Sequence, residues 1–167
     1  GFNGEFHFPP EKTEPVETIV QGQLDTLAAW TTQGVQGIGL SCKNSETLSP
    51  PIKTALDAGI PVITFDSDSS ATDRHLYLGT LNEAGGRAAG DAMIQLLQNT
   101  TGKVIVLAGF ETELNSEQRV AGIQAAFSAS PDQLVILKGT TDTNALEVLD
   151  SAFTEHGDQM IAILTLN

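Results

Sequence analysis

Short apolar runs that never settle into alternation set the strongest constraint on this chain. VQGIGLS (35–41), IPVITF (60–65), KVIVLAG (103–109), LVILKG (134–139) and MIAILTL (160–166) each read as a buried strand, with HLYLGT (75–80) as a shorter one. A strand with one wet face alternates apolar and polar residues, whereas a parallel strand covered on both faces does not. Helical segments fall between the runs. Val16, Ile19, Val20, Leu24, Leu27 and Ala28 recur at helical spacing, which predicts a helix over 16–33 stopped by Gly34. Ser49-Pro50-Pro51 predicts a helix start, since proline suits the first turn, and Gly59 closes that helix. Asn82 is expected to cap a helix from 83 to 98, with further helices over 115–129 and 144–156. GEFHF (4–8) is a weaker strand ended by Pro9-Pro10. Strands alternating with helices define an α/β fold of parallel sheets flanked by helices, covered on both faces.

Charge and length narrow the function. The 167 residues carry 21 Asp and Glu against 8 Lys and Arg, a formal charge of −13. That field repels phosphate backbones and argues against nucleic acid and anionic membranes as partners. No stretch of about 18 apolar residues is available to span a bilayer, so direct membrane insertion is not expected. The opening GFNGEFHFPPEK lacks the basic-then-apolar order of a secretory signal, a segment that processing removes, so the compartment stays open. Cys42 is the single cysteine, which excludes an internal disulfide and a thiolate metal cluster.

Most motif-like features have structural explanations. The glycines of GTLNEAGGRAAGD (79–91) lack the Lys-Ser/Thr of a phosphate loop. They fall inside a predicted helix, where Gly86 and Gly90 share a face and suit close packing. His7, His75 and His156 sit on separate elements without metal-ligand spacing, and no cofactor is expected. No GxSxG is present, and no Ser-His-Asp set stands out. Trp30 reads as packing beside Leu27.

Two residues resist that treatment. Asp66 ends the run AGIPVITFDSDSS (58–70), where a carboxylate loses hydration and needs donors. Turn N–H groups would serve, and so would paired sugar hydroxyls; spacing does not choose between them. Ligands of open parallel sheets sit outside the carboxyl ends of the strands, where this residue lies. Arg119, in NSEQRVAGIQAAF, is expected in the first turn of a helix whose apolar side is Val120, Ile123 and Phe127. A cation there opposes the helix dipole and needs compensation. An ion pair with Glu113 or Glu117 would supply it, as would a buried carboxylate or a polyol accepting from the guanidinium fork.

Three stretches together resemble the ribose-binding-protein type of periplasmic sugar-binding proteins: GVQGIGLSCKNSETLSPPIKTALDAGIPVITFDSD, YLGTLNEAGGRAAGDAMIQLL and GKVIVLAGFETELNSEQRVAGIQAAF. The resemblance runs from about residue 4 to 167. It implies two α/β lobes joined by crossovers, with residues 1–80 in the first and 81–167 beginning the second, and a sugar held in the cleft. It implies that Asp66 accepts from sugar hydroxyls, that Arg119 and Asn167 serve from the second lobe, and that Asn82 lies beside the crossover. Asn115 and Thr143 stand where some members touch ligand. Ser67 stands where ribose binders often carry Arg, and Thr143 where they carry a stacking Phe; both departures point away from ribose itself. Family members run to nearly twice this length and begin with a strand and helix that nothing here matches, which implies a fragment or a reduced relative.

The function implied is an extracytoplasmic receptor that delivers a sugar to the membrane permease of an ABC-type importer, without covalent chemistry. The same fold serves as the effector domain of lactose-repressor-type regulators, which add an N-terminal helix-turn-helix; the acidic charge favours the receptor.

Overall fold

The computed structural model describes residue 4, residues 15–109, 113–139 and 144–166. The strand expected over 4–8 and His7 lie outside these, Gly4 apart. The chain divides into two compact units, Gly1–Gly79 and Thr80–Asn167.

The first unit runs α1 (Val16–Gln33), β1 (Ile38–Leu40), α2 (Ser45–Asp57), β2 (Val62–Phe65) and β3 (Leu76–Leu78). Its strands pair in parallel in the order β1-β2-β3. Gly34 ends α1 in the left-handed conformation that glycine adopts without steric cost. The helix α2 begins a full turn earlier than the prolines suggest. Asn44 caps it by accepting from the Thr47 amide, and Pro50 and Pro51 lie inside it. Proline cannot donate to the carbonyl four residues back, so Glu46 and Thr47 lose those bonds. Both residues are exposed, so their carbonyls need not be satisfied within the fold.

The covering expected on both faces is found on one face of this sheet. Leu27 of α1 and Leu48, Ile52 and Ala55 of α2 pack on Ile38 and Val62, with Trp30 against the same cluster. The opposite face keeps Ile63, Phe65, Leu76 and Leu78 exposed. Among the described residues the single helical crossover, α2 between β1 and β2, lies on that covered face, and β2 runs to β3 without a helix to cover the other.

The second unit runs α3 (Asn82–Leu97), β4 (Lys103–Leu107), α4 (Leu114–Ala126), β5 (Leu134–Leu137), α5 (Ala145–His156) and β6 (Met160–Thr165). Its parallel order is β5-β4-β6. The direction reverses at β4, so α4 and α5 take opposite faces. Val104 and Val106 pack with Val120, Ile123 and Phe127, while Ile105 and Leu107 pack with Ala152, Val148 and Leu149. This is why KVIVL shows no alternation.

The helices α3 and α4 approach backbone to backbone. A Cβ at Gly86 would collide with the Arg119 carbonyl, and one at Gly122 with the Glu83 carbonyl and the Arg87 amide. At Gly90 it would lie 2.6 Å from the Ala126 Cβ. The packing role expected for Gly86 and Gly90 holds, and Gly122 is their partner on α4. Gly122→Ala is expected to destabilise the protein by about 2–3 kcal/mol in urea unfolding, since backbone cannot yield to the added methyl. Gly22→Ala on α1, where nothing lies within 4 Å, is expected to stabilise it by about 1 kcal/mol.

A second prediction concerns the loop after β2. Asp68 is 6% exposed and bound by Arg74 through Nε and Nη2, both at 2.5 Å, by the Thr64 hydroxyl at 2.6 Å and by the Ser69 amide at 2.8 Å. Burial alone raises its pKa, but the bonds from Arg74, Thr64 and Ser69 outweigh burial and hold it below the ordinary carboxylate value. The stabilisation is therefore full above the ordinary Asp range and is lost as pH falls through the lower folded value. Asp68→Asn is expected to cost roughly 2–3 kcal/mol at pH 7, less than breaking a fully dry pair, because Arg74 keeps partial access to water. The same substitution should flatten the acid limb of a stability-versus-pH curve measured by urea unfolding.

Candidate functional site

Parallel pairing places the ends of β1, β2 and β3 on one edge, and the segment that follows β2 decides what that edge presents. Of its acids and hydroxyls, Ser67, Asp68, Ser69 and Thr72 turn inward and are buried. The Asp68 oxygens are occupied as described above. The Ser69 hydroxyl lies 2.9 Å from that of Ser49, and its carbonyl accepts from Thr72 Oγ1 at 2.7 Å. Cys42 is fully buried in the same region, and burial pushes its thiol up to about 11. Its main-chain N–H donates to the Ser67 carbonyl at 3.0 Å. This is an internal network that ties the loop down.

Asp66 is left outside it. It is exposed and adopts a left-handed backbone, φ 60°. That conformation costs an ordinary residue roughly 1–2 kcal/mol and is borne best by Asn and Asp. Three contacts hold it. Its N–H donates to the Leu78 carbonyl at 3.1 Å, its carbonyl accepts from the Tyr77 hydroxyl at 2.8 Å, and its Oδ2 accepts from Ser41 Oγ at 3.0 Å. Ser41 is fixed in turn by Gln23 of α1, whose Nε2 donates to the Ser41 carbonyl at 2.7 Å and whose Oε1 accepts from the Lys43 amide at 3.1 Å. The carboxylate thus faces solvent at a strand end in one defined orientation. Ser67, its neighbour, is 3% exposed, and its Oγ is buried without a hydrogen-bond partner. It lies beneath the edge rather than on it.

The second unit supplies a different arrangement. The strand order reverses at β4, and in open parallel sheets ligands sit at the carboxyl ends beside such a reversal. Arg119 sits there. It lies in the second turn of α4, because the helix begins at Leu114, one residue earlier than expected. Its Nε donates to Asn82 Oδ1 at 2.9 Å and its Nη1 to the Leu166 carbonyl at 2.7 Å, just past β6. An amide oxygen and a main-chain oxygen thus accept from the cation, partners that the sequence reading, which weighed a carboxylate against a polyol, did not name. Asn82 does not cap α3. It is the first helical residue, follows Leu81 at the cap position and is 3% exposed. Its burial follows from the glycine contact: Gly86, one turn on, brings α3 against the Arg119 backbone. Asn115 lies in the first turn of α4, with its Oδ1 accepting from the Ser116 amide at 2.8 Å. Thr143 and Asn167 lie outside the described residues.

Each unit thus gathers some of the residues singled out by sequence: Asp66 above Ser67 in the first, and Arg119 with Asn82 and Asn115 in the second. Ser41 and Tyr77, which hold Asp66, were missed, since nothing in sequence marks a hydroxyl that will reach a residue 25 or 11 positions away. Among the described residues no group of His, Cys, Asp and Glu is arranged to hold a metal ion. Open hollows of about 550 and 340 Å³ lie along α5, lined by Glu147, Ser151 and Glu155 among others, and touch none of these residues.

The model of the periplasmic binding protein domain matches residues 10–167. The D-ribose/D-allose-binding protein of Pseudomonas aeruginosa is 27% identical over 158 residues, covering 90% of this chain and 49% of that protein. The ribose import binding protein of Salmonella typhimurium is 29% identical over 139 residues, covering 81% of this chain and 46% of that protein. The chain thus spans about half the length of these curated relatives. Among solved structures, an ABC transporter solute binding protein from Burkholderia graminis in complex with D-arabinose superposes with a TM-score of 0.74 at 24% identity, over 86% of this chain and 51% of that one. That likeness shows the fold, and the family model describes a binding domain rather than an enzyme. With its parallel sheets, strand-end polar groups and a match over nearly its whole length, the chain belongs to the periplasmic binding protein domain family, the one its sequence resembles.

Proposed function

We propose that the chain forms the carbohydrate-gripping part of an extracytoplasmic sugar receptor serving an ABC-type importer. The observation that carries this reading is the contrast between two neighbouring carboxylates. Asp68 is consumed by an internal network, while Asp66 is exposed and locked at a strand end. Two oxygens so held match two adjacent hydroxyls on a pyranose or furanose ring. Arg119 contributes the complementary chemistry, because a guanidinium has five donors and two of its N–H groups are engaged by Asn82 and Leu166. A remaining donor suits a sugar oxygen. The family resemblance supplies the rest of the reading: uptake in a cleft between lobes, closure stabilised by contacts from each, and roles for Asn167, Thr143, Asn115 and Ser67. The curated relatives are named for ribose, allose, xylose and arabinose, so pentoses and close hexoses are the substrates to test first. No helix among the described residues is long and apolar enough to cross a membrane.

A thermal-shift panel of D-ribose, D-allose, D-xylose and D-arabinose tests the reading. A sugar at about 100 times its Kd should stabilise the protein by about 2.7 kcal/mol. Asp66→Asn keeps the side-chain shape and tolerates left-handed backbone, so the sugar-free melting temperature should hold while the shift disappears. A shift of unchanged size in that variant would remove Asp66 from the ligand set.

A further inference from the structure

Tyr77 has no place in the reading above, yet it makes the one side-chain contact described to the Asp66 main chain. Asp66 is bonded to β3 on both sides of its Cα. Its N–H meets the Leu78 carbonyl, which continues the β2-β3 ladder by one residue, and its carbonyl meets the Tyr77 hydroxyl at 2.8 Å. The ladder bond alone constrains one side of Asp66. The phenol fixes the other, and together they hold the left-handed conformation in which the carboxylate reaches Ser41.

The ring can reach that carbonyl because of Gly79. Tyr77 and Gly79 lie two residues apart along an extended segment, so they share a face. The tyrosine ring lies over Gly79: a Cβ added there would meet the hydroxyl end of the ring, within 2.8 Å of Cε2 and closer still to the phenolic oxygen. Gly79 has ordinary backbone and is therefore required for the space it leaves rather than for its conformational freedom.

We infer that Tyr77 is a positioning residue for the ligand carboxylate: its hydroxyl, admitted by Gly79, fixes the backbone of Asp66 and so aims the carboxylate at ligand. The inference rests on the sugar-receptor reading for what the carboxylate is aimed at, but not for the conformation itself.

Two variants separate the parts. Tyr77→Phe keeps the ring and removes the hydrogen bond; Gly79→Ala keeps the hydroxyl and displaces the ring. In the sugar-free protein, the NMR Cα and Cβ shifts and the HN–Hα coupling of Asp66 should leave their left-handed values in both variants, with the melting temperature unchanged in Tyr77→Phe. Calorimetric titration with the same four sugars should show affinity weakened about three- to tenfold, the worth of one hydrogen bond. Asp66 signals that stay in place in both variants would overturn the inference, as would altered signals with unaltered affinity. A parent chain that binds none of the four sugars would instead count against the receptor reading, and the Asp66 signals would still decide whether Tyr77 sets that backbone.

Discussion

Parallel pairing is the constraint from which the rest follows. When every strand in a sheet runs the same way, every carboxyl end falls on one edge, and the polar residues that terminate the apolar runs are gathered there without further instruction. In this chain that single rule brings Ser41 to Asp66 across the first sheet and Arg119 to the end of β6 in the second. The helices contribute by holding the tips still. Gln23 of α1 clips the end of β1, and the glycine-lined contact of α3 with α4 presses Asn82 against Arg119.

The two units solve the same burial problem differently. The first grows in one direction and keeps its helices on one face, leaving Ile63, Phe65, Leu76 and Leu78 exposed on the other, with Leu78 at 68% exposure. The second reverses at β4 and buries that strand from both sides. The reversal also sets α4 beside the end of β6, where Arg119 Nη1 donates to the Leu166 carbonyl.

The architecture was legible in the sequence because it rests on local signals. Apolar runs without alternation, helical spacing and glycine stops are written within a dozen residues of one another, and the helices and strands fall where those signals stand. The misreadings were of two kinds. Pro50-Pro51 and Asn82 carry strong local preferences that tertiary context overrode: a capped start at Asn44 absorbed the prolines, and packing against α4 buried the asparagine. The faces of the first sheet depend on where the helices dock, which no local pattern encodes. The candidate site was legible only in its endpoints. Asp66 stood out as a strand-end acid, but whether it or Asp68 was free depended on where Arg74 would fold. The supports of Asp66 come from other strands, and sequence distance conceals them.

The claim that strand-end groups form the ligand edge is tested most directly by mapping amide chemical shifts while a pentose from the panel is titrated to saturation. The account predicts that perturbations gather at Ser41 and Cys42, Asp66 and Ser67, Asn82, Arg119 and Leu166. Perturbations confined to α5, around Glu147, Ser151 and Glu155, would contradict it, because binding would then follow the surface hollow along that helix rather than the carboxyl ends of the sheets.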